Sequence, residues 1–301
     1  MKRAVSVSLG SSVRDKKVVV NLQGQEISVE RIGNDGDVEK TRRMFTELDG
    51  QVDALGVGGV DLYLRLGERE YPLRAALKLV ADVHQTPVVD GRGLKHTLER
   101  RVFELAAPQL GGIPHFRRAF VPVTVDRIGL AEAVNEVSDE IILGDFMIAL
   151  GLPIPIRGIQ AYYRVARTLF PIVSYFPMSL LFYGSGGSEH EAKYERYFQE
   201  ADLIAGDFLF MRKYLPMDLS GKTVITNTTT ESNIELLRER GVRQVITTTP
   251  RYEGRSFGTN MMEAMLTAFA GLGRVLTDDE LNGLIDDLNL RPSVQRLNED
   301  T

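Results

Sequence analysis

The chain reads as an α/β protein: a Rossmann-like, doubly wound parallel-sheet domain preceded by a smaller α/β domain. Three observations predict this. Short apolar runs alternate with stretches of helical spacing through the C-terminal two thirds, the pattern of parallel strands joined by right-handed crossovers. The run Ile141-Ile142-Leu143-Gly144-Asp145-Phe146-Met147 is echoed by Leu203-Ile204-Ala205-Gly206-Asp207-Phe208-Leu209. A second echo links Ile225-Thr226-Asn227-Thr228-Thr229-Thr230 to Ile246-Thr247-Thr248-Thr249-Pro250. Each is an apolar strand that stops abruptly in small polar residues, and such strand ends are where open parallel sheets place ligands.

Taken in order, Ala4–Leu9 alternates like a strand, and Val18–Leu22 and Ile27–Ile32 flank Gln23-Gly24-Gln25 as a hairpin. Asp37–Leu48 has helical spacing, closed by Gly50. Val52–Leu66 holds strand-like segments, Arg74–Val83 and Leu94–Ala106 read as helices, and Thr86–Val89 as a short strand. Gly111-Gly112-Ile113-Pro114 is the best linker candidate, which sets domains at 1–112 and 113–301. Beyond it, strands are expected at Phe120–Val125, Glu140–Leu143, Leu203–Ala205, Thr223–Thr226 and Gln244–Thr247. Helices are expected at Ile128–Val137, Glu231–Arg240 and Met261–Ala270, with a helical apolar insertion at about 147–200. Pro122 fits a strand only near its beginning.

Among 301 residues, 43% are hydrophobic, enough for a sizeable core. The 36 Lys+Arg against 41 Asp+Glu give a net charge of −5, which argues against a nucleic-acid coat but leaves room for a local anion site. With no cysteine, disulfides, thiolate metal sites and a cysteine nucleophile are excluded. A reducing cytoplasm is the natural compartment. The four histidines lie far apart, so no metal site is expected. Thr168–Ser188 carries no charge, but Pro171 and Pro177 interrupt it. A spanning helix needs about 20 continuous apolar residues, so this stretch reads as buried helices or a lid. Contact with a membrane surface is the lesser alternative, and a surface for a homo-oligomer is another.

Three constellations carry chemistry. In Val125-Asp126-Arg127-Ile128-Gly129, a strand, a turn and a helix lead to Asp145 at the next strand end. That is the layout of a nucleotide-binding unit: a helix N-terminus for phosphate and an acid for a ribose hydroxyl. The bland alternative is helix capping with close packing at Gly129. Thr228 and Thr248, on the Thr-rich strand ends, complete the candidate cofactor set. The second, Pro250–Asn260, joins Gly254, Gly258 and two arginines to a helix start, so Arg255, Ser256, Thr259 and Asn260 are candidates for an anionic substrate. The third is Asp90-Gly91-Arg92-Gly93-Leu94-Lys95, where Arg92 can hold an anion and Lys95 with Asp90 can act as acid and base. The loop Leu9–Lys16 has similar anion chemistry. For both of these loops, ordinary surface turns are the alternative. Gly184–Gly187 reads as a flexible connection, and Arg157, Arg164 and Arg167 as a solvated helix face.

Together, Ser6-Val7-Ser8-Leu9-Gly10-Ser11-Ser12, Gly58-Gly59-Val60-Asp61-Leu62-Tyr63, Leu94–Arg100 and Gly254-Arg255-Ser256-Phe257-Gly258-Thr259-Asn260 resemble a bacterial family commonly labelled quinate 5-dehydrogenase. The resemblance spans almost the whole chain. It implies oxidation of a small hydroxylated carboxylic acid such as quinate, with NAD or NADP as hydride acceptor. Lys95 with Asp90, or with Asp61, would then stand for the lysine–aspartate pair of shikimate and quinate dehydrogenases. Their Asn-Val-Thr-x-Pro-x-Lys segment and glycine-rich cofactor turn are not found here. The same anion loops also suit an enzyme acting on a phosphorylated or acyl ligand, or a non-catalytic sensor.

Overall fold

A computed structural model of the protein describes residues 1–181, 193–252 and 255–299, and only the backbone of Arg251, Tyr252 and Arg255. It is a mixed α/β fold that divides into two compact units. The first comprises residues 1–94, 167–186 and 258–289, and the second residues 95–166, 187–257 and 290–301.

In the first unit, β1 (Lys2–Ser8), β2 (Lys16–Leu22), β3 (Gln25–Gly33), β4 (Ala54–Gly58) and β7 (Val88–Val89) form one sheet in the order β2-β3-β1-β4-β7. A separate hairpin pairs β5 (Tyr63–Leu66) with β6 (Arg69–Pro72). The expected first hairpin is β2–β3, turned by Gln23 and Gly24 at φ 48° and 87°. Positive φ at both central residues matches the right-handed twist of the flanking strands. β1 pairs in parallel with β3 and β4, and its Ala4–Ser8 are all buried. The helix Thr259–Ala270 packs across β1, β3 and β4. Its apolar residues Met261, Met262, Met265 and Leu266 are buried.

The second unit holds β8 (Phe116–Val121), β9 (Ser138–Leu143), β10 (Ile156–Arg157), β11 (Leu203–Ala205), β12 (Thr223–Thr226), β13 (Gln244–Thr247) and β16 (Ser293–Arg296). A small hairpin, β14 (Arg251–Tyr252) with β15 (Arg255–Ser256), lies outside the main sheet. The seven-stranded order is β10-β9-β8-β11-β12-β13-β16, and only the two edge pairings are antiparallel. This is the predicted doubly wound sheet. Its core includes Phe120, whose ring meets Phe198 edge-on at 4.8 Å and stacks on Tyr197 at 5.7 Å.

The strands β11, β12 and β13 keep their predicted bounds, whereas β8 is displaced. It starts at Phe116 because Arg118, a charged residue at a strand position, is held by Glu140 at 2.7 Å and Glu200 at 2.9 Å. Pro122 therefore lies just past the strand, where a missing N–H is harmless, and not near its beginning. The expected helix Leu94–Ala106 is two, Arg92–His96 and Val102–Leu110. Arg74–Val83 keeps only one helical turn, Arg74–Leu77.

The division between units falls at Leu94/Lys95, and the Gly111–Pro114 segment lies inside the second unit. The reason is the helix Val102–Leu110, which packs on Ile128–Glu136 and β16 of that unit. The chain also returns to the first unit at 258–289, because its sheet is covered by Thr259–Ala270. In the apolar insertion, Ile159–Val173 is a helix with Pro171 inside it, and Met178–Leu181 is a short one. Gly184–Gly187 and His190 lie outside the described residues. Among the described residues no helix is long and apolar enough to cross a membrane.

Removing the Phe120 ring from this core should destabilise the protein by about 3–5 kcal/mol, the usual range for a buried Phe→Ala change. Denaturant unfolding of Phe120→Ala checks it, and a loss below about 1 kcal/mol would contradict the packing described.

Candidate functional site

The strand ends of the second unit converge on one buried guanidinium. Arg127 follows β8 and leads into the helix Ile128–Glu136 with its side chain only 4% exposed. Its Nη1 donates to Glu99 Oε1 at 2.5 Å and its Nη2 to Asp207 Oδ2 at 3.0 Å, while Asp126 Oδ2 lies 3.6 Å from Nε. Asp207 sits beyond β11 and also accepts from Asn227 Nδ2, beyond β12, at 2.9 Å. Thr248, beyond β13, donates to Glu99 Oε1 at 3.2 Å. Glu99 itself is fully buried, in the turn that separates the two helices expected to be one. Burial pushes its carboxyl above the usual range, against the charges of Arg127 and Lys95. Arg127 stays cationic because its three acids outweigh burial.

Beside this hub stands the pair of Lys95 and Asp126, Nζ to Oδ2 at 3.6 Å, with the Lys95 side chain 7% exposed. Asp145, at the end of β9, accepts from the N–H groups of Thr124 and Val125 at 2.9 Å each, both on Oδ1. Burial pushes its carboxyl up to about 6 in spite of these donors. Tyr162, buried on the helix Ile159–Val173, has its phenol raised well above the ordinary value by burial and by the nearby Asp145 and Asp126. Glu99 Oε2, Asp126 Oδ1, Asp145 Oδ2 and Thr124 Oγ1 are buried and find no hydrogen-bond partner among the described residues. Buried polar atoms are seldom left so.

A dinucleotide does not fit the turn expected to hold it. A Cβ at Gly129 would lie 2.1 Å from the Lys95 carbonyl oxygen. The glycine therefore admits the Lys95–His96 backbone, where a pyrophosphate would need to approach.

Of the expected cofactor residues, the structure brings together Asp126, Arg127, Asp145 and Thr248, with Gly129 as a packing contact. Thr228 is half-buried and takes no part in the hub. The candidates of the Pro250–Asn260 loop divide between the two units. Ser256 Oγ accepts from Thr229 N at 2.9 Å in the second unit. Thr259 and Asn260 belong to the first unit, where Thr259 is buried and Asn260 Nδ2 donates to Ser6 Oγ at 2.7 Å. Gly254 and the side chain of Arg255 lie outside the described residues.

Lys95 and Asp90 fall in different units. Asp90 holds a turn of the first unit, accepting from Leu62 N at 2.8 Å and Arg92 N at 3.1 Å. Arg92 pairs with Glu70 at 3.1 Å and lies over the Tyr63 ring at 4.4 Å. Next to this turn Glu263 is buried, accepts from Leu94 N at 3.2 Å, and is pushed up to about 8 by burial and by Asp90. Among the described residues no group of acids and histidines forms a metal cluster.

Sequence reasoning did not single out Glu99, Asp207, Asn227 or Tyr162. A signal existed for Asp207, the counterpart of Asp145 in the repeated Gly-Asp strand ends. Asn227 lies in the second echo, Glu99 within Leu94–Arg100, and Tyr162 had no signal.

A family model described as "Domain of unknown function (DUF8754)" matches residues 93–297, and one described as "Domain of unknown function (DUF8753)" matches residues 3–90. No curated protein matches the chain. Among solved structures, the fold is similar to a glucose-galactose binding protein from Geobacillus stearothermophilus, with TM-score 0.39 and 9% identity over 98% of this chain and 97% of that one. It is also similar to a Mycobacterium smegmatis protein in complex with beta-D-fucofuranose, with TM-score 0.36 and 9% identity over 99% and 92% of the two chains. Aspartate transcarbamoylase from Trypanosoma cruzi, in complex with carbamoyl aspartate and phosphate, gives TM-score 0.33 and 11% identity over 92% and 83%.

Three variants test the electrostatics. Arg127→Met leaves Glu99 buried without its cation and should cost about 3–5 kcal/mol, most of it recovered in Arg127→Met/Glu99→Leu. Equal losses in single and double variants would show that the pair is not the origin. For Glu263 the folded pKa lies above the unfolded one. Its neutral form therefore stabilises the fold fully below about pH 4, and that contribution is lost as pH rises towards 8. Glu263→Gln abolishes this titration, so its stability relative to the parent should rise between about pH 5 and 8, read by thermal melts across that range. A pH-independent difference would contradict the burial of this carboxyl.

Proposed function

The chain belongs to the DUF8754 family, and we propose that its second unit binds a small hydroxylated carboxylic acid of the quinate class at the carboxyl ends of its parallel strands, with Lys95 and Asp126 as the proton-transfer pair. One observation carries the reading: the Lys95–Asp126 pair stands among buried carboxylate oxygens that find no partner among the described residues. Carboxylate oxygens only accept hydrogen bonds, so they recognise hydroxyl donors. A lysine held by an aspartate beside a bound hydroxyl can take its proton when neutral and return it when charged. This is the acid–base half of the chemistry that the quinate 5-dehydrogenase resemblance implies. Its Lys95–Asp90 pairing is replaced by Lys95–Asp126.

NAD or NADP remains the hydride acceptor that the resemblance implies. The Gly129 turn, closed by the Lys95 backbone, gives it no seat. Without it, the same hydroxyl-recognising site serves as a binding module.

Titration calorimetry with quinate and with cyclohexanecarboxylate, which lacks the hydroxyls, tests the reading. Quinate should bind at least about tenfold more tightly, because a site built to pair hydroxyls rejects the analogue that lacks them. Equal affinity, or no binding of either, would overturn it. Reduction of NAD or NADP with quinate present separates dehydrogenase from binding module. If reduction occurs, Lys95→Met should slow it about 10²-fold or more while quinate affinity changes little.

A further inference from the structure

The first unit carries a cationic cluster of its own at the carboxyl end of β1. After Ser8 the chain turns through Leu9-Gly10-Ser11 into a single 3-10 turn, Ser12–Arg14. On β3, Arg31 lies opposite Ser6 in the parallel register. Both guanidiniums lean over Gly10: a Cβ there would lie 2.6 Å from Arg14 Nη2 and 3.2 Å from both Arg31 Nη2 and Ser8 Oγ. Two like charges so close repel, and burial together with Arg14 disfavours the charged form of Arg31, against Asp15 and Asp35.

The neighbouring acids are already engaged. Arg31 Nη1 donates to Ser11 O at 3.0 Å and to Asp15 Oδ1 at 2.8 Å, and Asp15 Oδ1 also accepts from Gly33 N at 2.7 Å. Asp35 accepts from Ser12 N at 2.8 Å. Arg31 Nη2 is buried and finds no partner among the described residues. Ser8 Oγ accepts from Gly10 N at 3.0 Å, which directs its own O–H elsewhere. Arg14 is exposed.

We propose that Arg14, Arg31 and Ser8 form an oxyanion-binding site at the carboxyl end of β1, taking the phosphate or carboxylate group of a small ligand. An oxyanion bridging the two forks would turn the like-charge contact into two charge-assisted pairings and satisfy Arg31 Nη2. The loop lies at the strand end where parallel sheets place ligands, and Gly10 keeps the space between the guanidiniums clear. The site uses first-unit residues alone and stands whether or not quinate binds the second unit.

The test is calorimetric titration of the full chain with inorganic phosphate and, separately, acetate, at ionic strength held constant with chloride so that general screening does not contribute. One of the two anions should bind saturably, and which one does identifies the group recognised. Arg14→Gln should weaken it about tenfold or more, the loss expected when one charge-assisted fork is removed. Arg14 is exposed, so this variant keeps the fold; circular dichroism confirms it. Gly10→Ala should also weaken binding, since its Cβ displaces Arg14. Absence of saturable binding of either anion, or equal affinity in parent and Arg14→Gln, would overturn the proposal.

Discussion

The second unit depends on burying Glu99 against Arg127. Taking a carboxylate and a guanidinium out of water is expensive, and their attraction offsets that only when the remaining donors and acceptors are also met. Much local sequence serves this requirement. The helix starting at Arg92 breaks after His96, so that Glu99 turns inward. Small polar residues at the ends of β11, β12 and β13 supply Asp207, Asn227 and Thr248 to the hub. An apolar strand that runs abruptly into Gly-Asp or Thr-Thr is thus the trace, in sequence, of a charge that must be surrounded where the sheet ends.

The balance of charge at these strand ends decides what they can hold. Glu99, Asp126 and Asp207 face Lys95 and Arg127, so acids exceed cations. Such a site offers more hydrogen-bond acceptors than donors among its charged groups. At the β1 end of the first unit two guanidiniums meet over one glycine, Asp15 pairs with Arg31, and Asp35 accepts from a backbone N–H group.

Much of the fold was legible because apolar periodicity reports burial directly. The strands Leu203–Ala205, Thr223–Thr226 and Gln244–Thr247, and the hairpin at Gln23-Gly24, stand where the pattern put them. Strand β8 was misplaced because Arg117 and Arg118 disguise its start, and pattern alone does not show that Arg118 has two acids waiting for it. The return of residues 258–289 to the first unit was invisible for a different reason. The apolar face of Thr259–Ala270 states that it is buried, not which sheet buries it. At the site, residue type identified Lys95, Asp126, Arg127 and Asp145, but pairing is a tertiary fact. Asp90, five residues from Lys95, satisfies the N–H groups of Leu62 and Arg92, while Asp126, thirty-one residues on, meets the lysine.

The turn after β8 shows how one short motif can be built for either of two purposes. Asp126-Arg127-Ile128-Gly129 has a strand before it and a helix after it, as a phosphate cradle would. In a cradle the glycine brings the backbone close to the ligand. Here the same lack of a Cβ brings the helix against the Lys95 carbonyl, so the backbone of Lys95 is fixed by Gly129 and its ammonium by Asp126. Both constraints on Lys95 thus come from one turn, and the next residue of that turn, Arg127, holds Glu99 close by. A cradle would leave the lysine unpositioned. The observed turn fixes a cation and its counter-ion beside acceptors that find no partner among the described residues, and a lysine and an aspartate held in this way are the pre-organised pair on which the proposed proton transfer rests.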